Sequence, residues 1–223
     1  MHFVSPAIWA WRPERIHQIR RAVDHMLLVF PFEQEIYKRA GIDATYVGHP
    51  LASVIPMKPD TEGARRDYGL MEDSLPVVTV MPGSRIDEVK GCAPAFFGAI
   101  EKLLHRFSDM HVLIPAADEA ALYKKPMVVG YLMPALTGLI MQRKGLIRCV
   151  SLPNILMGEN VVPEFLQYYC RADQISWALQ DALTNDAKRK ELVERFTALH
   201  ESLKADTPSL VAEVLESRAL RRW

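Results

Sequence analysis

The sequence predicts an α/β protein built on mostly parallel strands in two lobes. Three observations predict it. Short β-branched apolar runs alternate with helical patterns, the signature of strand–helix–strand units. A polar, proline-containing stretch at 56–60 separates two such series and reads as a linker. And Val77-Val78-Thr79-Val80 hands over through Met81-Pro82-Gly83-Ser84-Arg85 to a long helical pattern, the join around which the second series is organised. The 223 residues, 49% hydrophobic and 24% charged, have an ordinary globular composition rather than a disordered one. Lys+Arg and Asp+Glu both number 27, so no basic excess points to nucleic acid. Cys92, Cys149 and Cys170 lie far apart, without metal spacing, as incidental thiols in a reducing cytoplasm would.

In chain order, residues 2–5 read as the tail of a strand and 13–23 as a helix carrying Arg15, Arg20 and Arg21 between Ile16, Ile19 and Val23. Its plain reading is a surface helix with one apolar side. Beside Trp9 and Trp11, those arginines also suit an anionic membrane surface. The start of the chain is the reverse of a secretory signal, since its apolar residues precede its charges. Residues 25–30 give a second strand, a helix from Pro31-Phe32-Glu33 ends at Gly41, and 44–47 give a third strand closing on Gly48-His49-Pro50. A short charged helix spans 61–69.

The central helix, 87–107, places Phe96, Phe97, Ile100, Leu103 and Leu104 at a 3.6-residue period. Strands follow at 111–115 and 127–130. The run 126–141 is too short and too broken by Gly130, Pro134 and Gly138 to span a membrane, so it reads as a strand and an apolar helix at 134–141. Residues 148–151 read as a short strand with Leu152-Pro153-Asn154 as its exit. The chain is then helical to its end, at 173–183, 187–203 and 208–220.

One link is too short. Residues 116–125 must join two strands, whereas a parallel crossover takes about a dozen residues or more, most of them helical. Either those two strands are antiparallel, or a helix and a strand are missing there.

The join at 82–85 is chemically the most telling stretch. A strand passing into a helix through Gly-Ser gathers free N–H groups and the positive end of a helix at one point, which suits a phosphate. Arg85 adds a planar charged fork. No Gly-Lys-Ser/Thr follows, so it is not a Walker loop. The competing reading is an ordinary turn in which Ser84 caps the helix. The phosphate reading requires the guanidinium to face a hollow shared with Asn154.

Six fragments then occur in order: Ser5-Pro6-Ala7-Ile8-Trp9-Ala10-Trp11-Arg12, Pro31-Phe32-Glu33, Tyr46-Val47-Gly48-His49-Pro50-Leu51-Ala52, Pro82-Gly83-Ser84-Arg85, Lys125-Pro126-Met127-Val128-Val129-Gly130-Tyr131 and Ser151-Leu152-Pro153-Asn154. Together they resemble the lipid-A-disaccharide synthases, bacterial glycosyltransferases of the two-lobed, doubly wound B type. The resemblance covers the chain apart from its final helices. It implies transfer of the sugar of UDP-2,3-diacylglucosamine to 2,3-diacylglucosamine 1-phosphate, giving a β-1,6 disaccharide and UDP without cofactor or metal. It implies a cytoplasmic protein, peripheral on the inner face of the bacterial inner membrane, with homo-oligomerisation left open.

The same resemblance implies the site. Gly83, Ser84 and Arg85 would stabilise the departing diphosphate. Glu119 aligns with a ribose-holding glutamate, and Asn154 would contact the nucleotide. Glu88 joins this group, although its charge alone supports a helix start. Glu119 competes with a reading as a solvated helix residue, Asn154 with a turn cap, and His49 reads better as a satisfied interlobe histidine than as a catalytic one. The family's opening lobe, with its Gly-rich loop and the general base, is expected to lie upstream of Met1, which leaves the catalytic base unknown. The domains expected are thus 1–55, a remnant of the acceptor-side lobe, and 56–223, a UDP-sugar-binding lobe with C-terminal helices and an internal deletion near 116–125. Turnover by this chain alone should then be slight or nil. Two other classes compete: a UDP-N-acetylglucosamine 2-epimerase-like enzyme, which would need a cluster of acid–base groups, and a non-catalytic nucleotide-binding remnant.

Overall fold

The computed structural model describes residues 1–9, 12–70, 75–114, 123–133 and 149–220. Their contacts fall into two compact units, Met1–Met57 with Thr197–Trp223, and Lys58–Phe196.

In the first unit, β1 (His2–Phe3), β2 (Met26–Leu28) and β3 (Ala44–Tyr46) form a parallel sheet in that order. Helices α1 (Ile16–Ala22) and α2 (Glu33–Arg39) supply its crossovers, and Ile8, Met26, Leu28, Tyr37 and Ile42 make the core. Met26 to Leu28 are buried without alternation, as a strand covered on both faces must be. After β3, α3 (Pro50–Val54) is a single turn too short to announce itself by periodicity.

The end of the chain belongs to this unit. Sequence reading placed all the final helices with the second lobe, but Thr197 onward groups with Met1–Met57. The cause is local. The His49 amide donates to Leu203 O at 3.0 Å, the buried His200 donates Nε2–H to Ala52 O at 2.7 Å, and Ser53 donates to Ala205 O at 2.8 Å. Gly48 makes this possible. Its φ is +83°, and a Cβ there would lie 2.4 Å from the Ala205 Cβ.

In the second unit, α4 (Thr61–Asp67) is capped by Asp60, whose carboxylate accepts from the Gly63 amide. β4 (Val77–Thr79) pairs in parallel with β5 (His111–Leu113), joined by the 19-residue α5 (Ile86–Leu104). β6 (Val129–Tyr131) pairs in parallel with β7 (Glu164–Leu166). Among the described residues these are two separate sheets of two strands. A pairing of β5 with β6, antiparallel under one of the two readings of the short link, is not among them. Sequence reading also took 148–151 as a strand and everything after 154 as helix. Instead Ser151 precedes α6 (Leu152–Met157), and β7 follows. The three-residue β7 carries too little alternation to read. The apolar helix expected at 134–141 lies outside the described residues.

Three helices complete the chain: α7 (Ala172–Thr184), α8 (Asp186–Leu203) and α9 (Thr207–Ala219). The Asp206 carboxylate caps α9 by accepting from the Ser209 amide. α5 packs along α7, burying Ala99, Cys170 and Ile175 in one cluster, while Val78, Val80, Ile100, Leu103 and Met110 form another. Burial pushes the Cys170 thiol up to about 11, so it remains a protonated packing group. No helix among the described residues is long and apolar enough to cross a membrane.

Candidate functional site

The exit of β4 is where the geometry becomes unusual. Gly83 has a φ of +130°, a conformation that side chains rarely adopt. A Cβ there would stand 2.7 Å from the Glu88 Cβ and 3.1 Å from its Oε2. The glycine therefore serves twice, turning the chain and leaving room for a carboxylate to lie against the turn.

That carboxylate is fully engaged. Glu88 Oε2 accepts from the Ser84 amide at 3.2 Å and the Arg85 amide at 3.3 Å, and Oε1 pairs with Arg85 Nη1 at 2.6 Å. Glu88 stands three residues after the residue preceding α5, the position of a capping-box glutamate. The box is one-sided, because a guanidinium has no acceptor to return. Burial pushes the Glu88 carboxyl up, but the Arg85 side chain and the Ser84 and Arg85 amides outweigh it and hold the group below its ordinary value. Two backbone donors, a guanidinium and a helix N-terminus thus converge on one anion, and the anion is the protein's own.

The end of β6 borders the same place. Gly91, one turn into α5, faces the Leu132 Cβ. Burial raises the Tyr131 hydroxyl pKa, and the Glu88 charge raises it further. Tyr131 therefore lies within electrostatic reach of Glu88 and Arg85. The sequence assigns Tyr131 no role, although its place at the C-terminal end of a parallel strand is a signal for one. Beside it, Gln167 holds a φ of +51° and clamps the β6 exit, accepting from the Met133 amide at 2.7 Å and donating to its carbonyl at 3.2 Å. A non-glycine residue in the left-handed region at a strand exit is a constraint worth holding only where geometry matters.

Asn154 is placed differently from expectation. It is completely buried, and every valence of its amide is used inside the chain. Nδ2 donates to Val162 O at 2.9 Å and Glu164 Oε1 at 2.7 Å, while Oδ1 accepts from the Val161 and Val162 amides at 2.8 and 2.9 Å. Glu164 completes the knot by accepting from the Val150 and Ser151 amides and the Ser151 hydroxyl. The residue shapes the approach to β7 and has no donor left for a nucleotide. The Arg85 side chain is 78% exposed. Glu119 lies outside the described residues. Gly83, Ser84, Arg85 and Glu88 are therefore brought together, and Asn154 is bonded into the approach to β7.

In the first unit Glu33 occupies a comparable position at the start of α2, but sealed. It is 1% exposed, and its Oε2 accepts from the Phe30 amide at 3.3 Å. Burial raises its carboxyl pKa against the opposing hydrogen bonds of Ser5, Phe30 and Trp9. Ser5 also bonds the Tyr37 hydroxyl at 2.8 Å. Trp9 meets Phe32 edge-on at 5.4 Å, Phe32 stacks on Phe30 at 5.9 Å, and Phe30 contacts the His49 ring at 5.5 Å. Three of the sequence fragments thus converge on one aromatic row that ends at the His49 ring.

Comparison with known proteins adds the following. A family profile described as lipid-A-disaccharide synthetase matches residues 1–119 and 115–215. Curated proteins named lipid-A-disaccharide synthase are similar along nearly the whole chain. That of Paraburkholderia phymatum is 42% identical over 267 residues, covering 98% of this chain and 68% of its own. That of Paraburkholderia phytofirmans is 41% identical, covering 97% and 67%. That of Burkholderia pseudomallei is 41% identical over 270 residues, covering 99% and 69%. An alignment of 267 positions exceeds the 223 residues of the chain by 44, so at least that many positions have no residue here. The two profile matches meet at 115–119.

Proposed function

The chain belongs to the lipid-A-disaccharide synthase family, glycosyltransferases of lipid A biosynthesis, and we propose that its second unit holds the diphosphate of a UDP-sugar donor at Gly83, Ser84 and Arg85. One observation supports this above the others: the Ser84 and Arg85 amides and the Arg85 guanidinium already converge on a carboxylate. A diphosphate oxygen offers the same charge and acceptor geometry, and more of both. As the bond to the sugar breaks, negative charge grows on the diphosphate, and donors fixed in advance stabilise that charge.

The donor in this reading is UDP-2,3-diacylglucosamine and the acceptor 2,3-diacylglucosamine 1-phosphate. Both carry acyl chains. The reading therefore places the protein at the inner face of the bacterial inner membrane, with Trp9, Arg15, Arg20 and Arg21 as its contact. Asn154 becomes a positioning residue for the β7 approach. The shortening falls between β5 and β6, where a helix, a strand and a further diphosphate-binding loop of the family would be. The chain is thus a synthase lacking part of its donor lobe, with weakened donor binding and little turnover.

Titration calorimetry with UDP tests the site. The full chain should bind UDP, and Arg85→Ala should weaken binding about tenfold or more, the loss of one charge-assisted fork. Equal affinity in the two proteins would refute the assignment. Incubation with a UDP-sugar donor and acceptor tests the shortening, since turnover comparable with a full-length relative would contradict it.

A further inference from the structure

The role of Glu88 goes beyond helix capping. We propose that Glu88 is the resident anion of this mouth: its carboxylate holds the diphosphate's donors in the empty protein and must swing out for the donor to enter. This rests on the reading of residues 83–85 as the diphosphate site. Oε2 takes both amides and Oε1 takes the guanidinium, the three donors that the ligand needs. Two anions cannot share them, because at this spacing their charges repel and no donors remain over. The exchange is mechanically easy. The Arg85 side chain is 78% exposed and that of Glu88 20% exposed, so a rotamer change carries the carboxylate into solvent.

The arrangement sets a threshold. A singly charged anion gains nothing over the carboxylate it must displace, whereas a diphosphate brings more charge and more acceptors. The returning carboxylate also competes with UDP once transfer is complete, which favours product release.

The test compares Glu88→Gln with Asp87→Asn in the full chain. Both remove one negative charge from the first turn of α5, but Asp87 takes no part in the three-donor contact. Gln still caps the helix, so the fold should persist. By calorimetry, Glu88→Gln should bind UDP about fivefold more tightly than the unaltered chain, the upper end of what an exposed ion pair no longer broken on binding contributes. Asp87→Asn should change affinity less than threefold. Unchanged or weaker binding in Glu88→Gln, or an equal gain in Asp87→Asn, overturns the proposal. Arg85→Ala separates the two readings: if it leaves UDP affinity intact, the diphosphate site itself is wrong; if it lowers affinity while Glu88→Gln does nothing, only the displacement fails. A measurement needing no variant is the Glu88 carboxyl ¹³C shift during titration with inorganic pyrophosphate. It should move together with the Ser84 and Arg85 amide signals. Amides that move while the carboxyl stays still would equally refute displacement.

Discussion

Glu33 and Glu88 each stand in the first turn of a helix, one in each unit, and teach opposite lessons. Each stands at the start of a helix and accepts from the amide three residues upstream, Phe30 in one case and Arg85 in the other, both at 3.3 Å. Around Glu33 the chain closes completely, with Ser5, Trp9 and Tyr37 sealing the carboxyl under an aromatic row. Around Glu88 the mouth stays open and its partner is a solvated guanidinium. Burial wins at Glu33 and raises its pKa; donors win at Glu88 and lower it. A capping glutamate is thus a fixture when covered and a removable plug when uncovered.

The sealed groups should give the largest stability effects. Asn154→Ala removes four hydrogen bonds in a site without water access and leaves two amides and a carboxylate short of partners. It should destabilise the second unit by about 3–4 kcal/mol, read by chemical denaturation. A loss below about 1 kcal/mol would show that the knot is open to solvent after all.

Glu33→Ala should cost about 2–3 kcal/mol, since the Phe30 amide loses its acceptor in a dry site. Glu33→Gln sharpens the comparison through pH. A carboxyl whose folded pKa is raised contributes stability that is fully present below its ordinary 4.5 and is lost as pH rises through the folded value. The stability difference between Glu33→Gln and the unaltered chain should therefore shift in favour of Gln as pH climbs above 4.5. Glu88 has the opposite sign: its contribution is present above 4.5 and lost as pH falls through its lowered pKa. Melting curves of Glu33→Gln and Glu88→Gln against pH should diverge in opposite directions, and parallel curves would erase the contrast.

How much of this was legible in sequence follows from the same contrast. The strand–helix order and the Gly83-Ser84-Arg85 turn were readable because glycine, arginine and long helical periods act locally. The too-short link at 116–125 was readable as a length, and the alignment with relatives points to the same place. The sealed roles were not readable. Nothing in Leu152-Pro153-Asn154 tells a nucleotide contact from a buried knot, because the difference lies in Val161, Val162 and Glu164, residues that fold back from further along the chain. The grouping of Thr197–Trp223 with the first unit was hidden for a like reason, being set by contacts such as His200 with Ala52 across a long sequence separation. Glu88 was read as a ligand contact because charge and position were visible and its occupancy of the donors was not.

The smaller effects belong to the open mouth. Gly83→Ala forces a side chain into φ +130° and onto Glu88, and should cost about 1–2 kcal/mol while pushing the carboxylate from its amides. Ser84→Ala should do least. In the empty protein Ser84 contributes its backbone N–H to Glu88, and alanine keeps that donor. Stability should stay within about 0.5 kcal/mol and UDP affinity within about twofold, measured by denaturation and calorimetry. A tenfold loss of affinity would mean that the hydroxyl turns inward when the diphosphate replaces the carboxylate. The mouth would then be shaped by its ligand, and the plug would have been concealing a fourth donor.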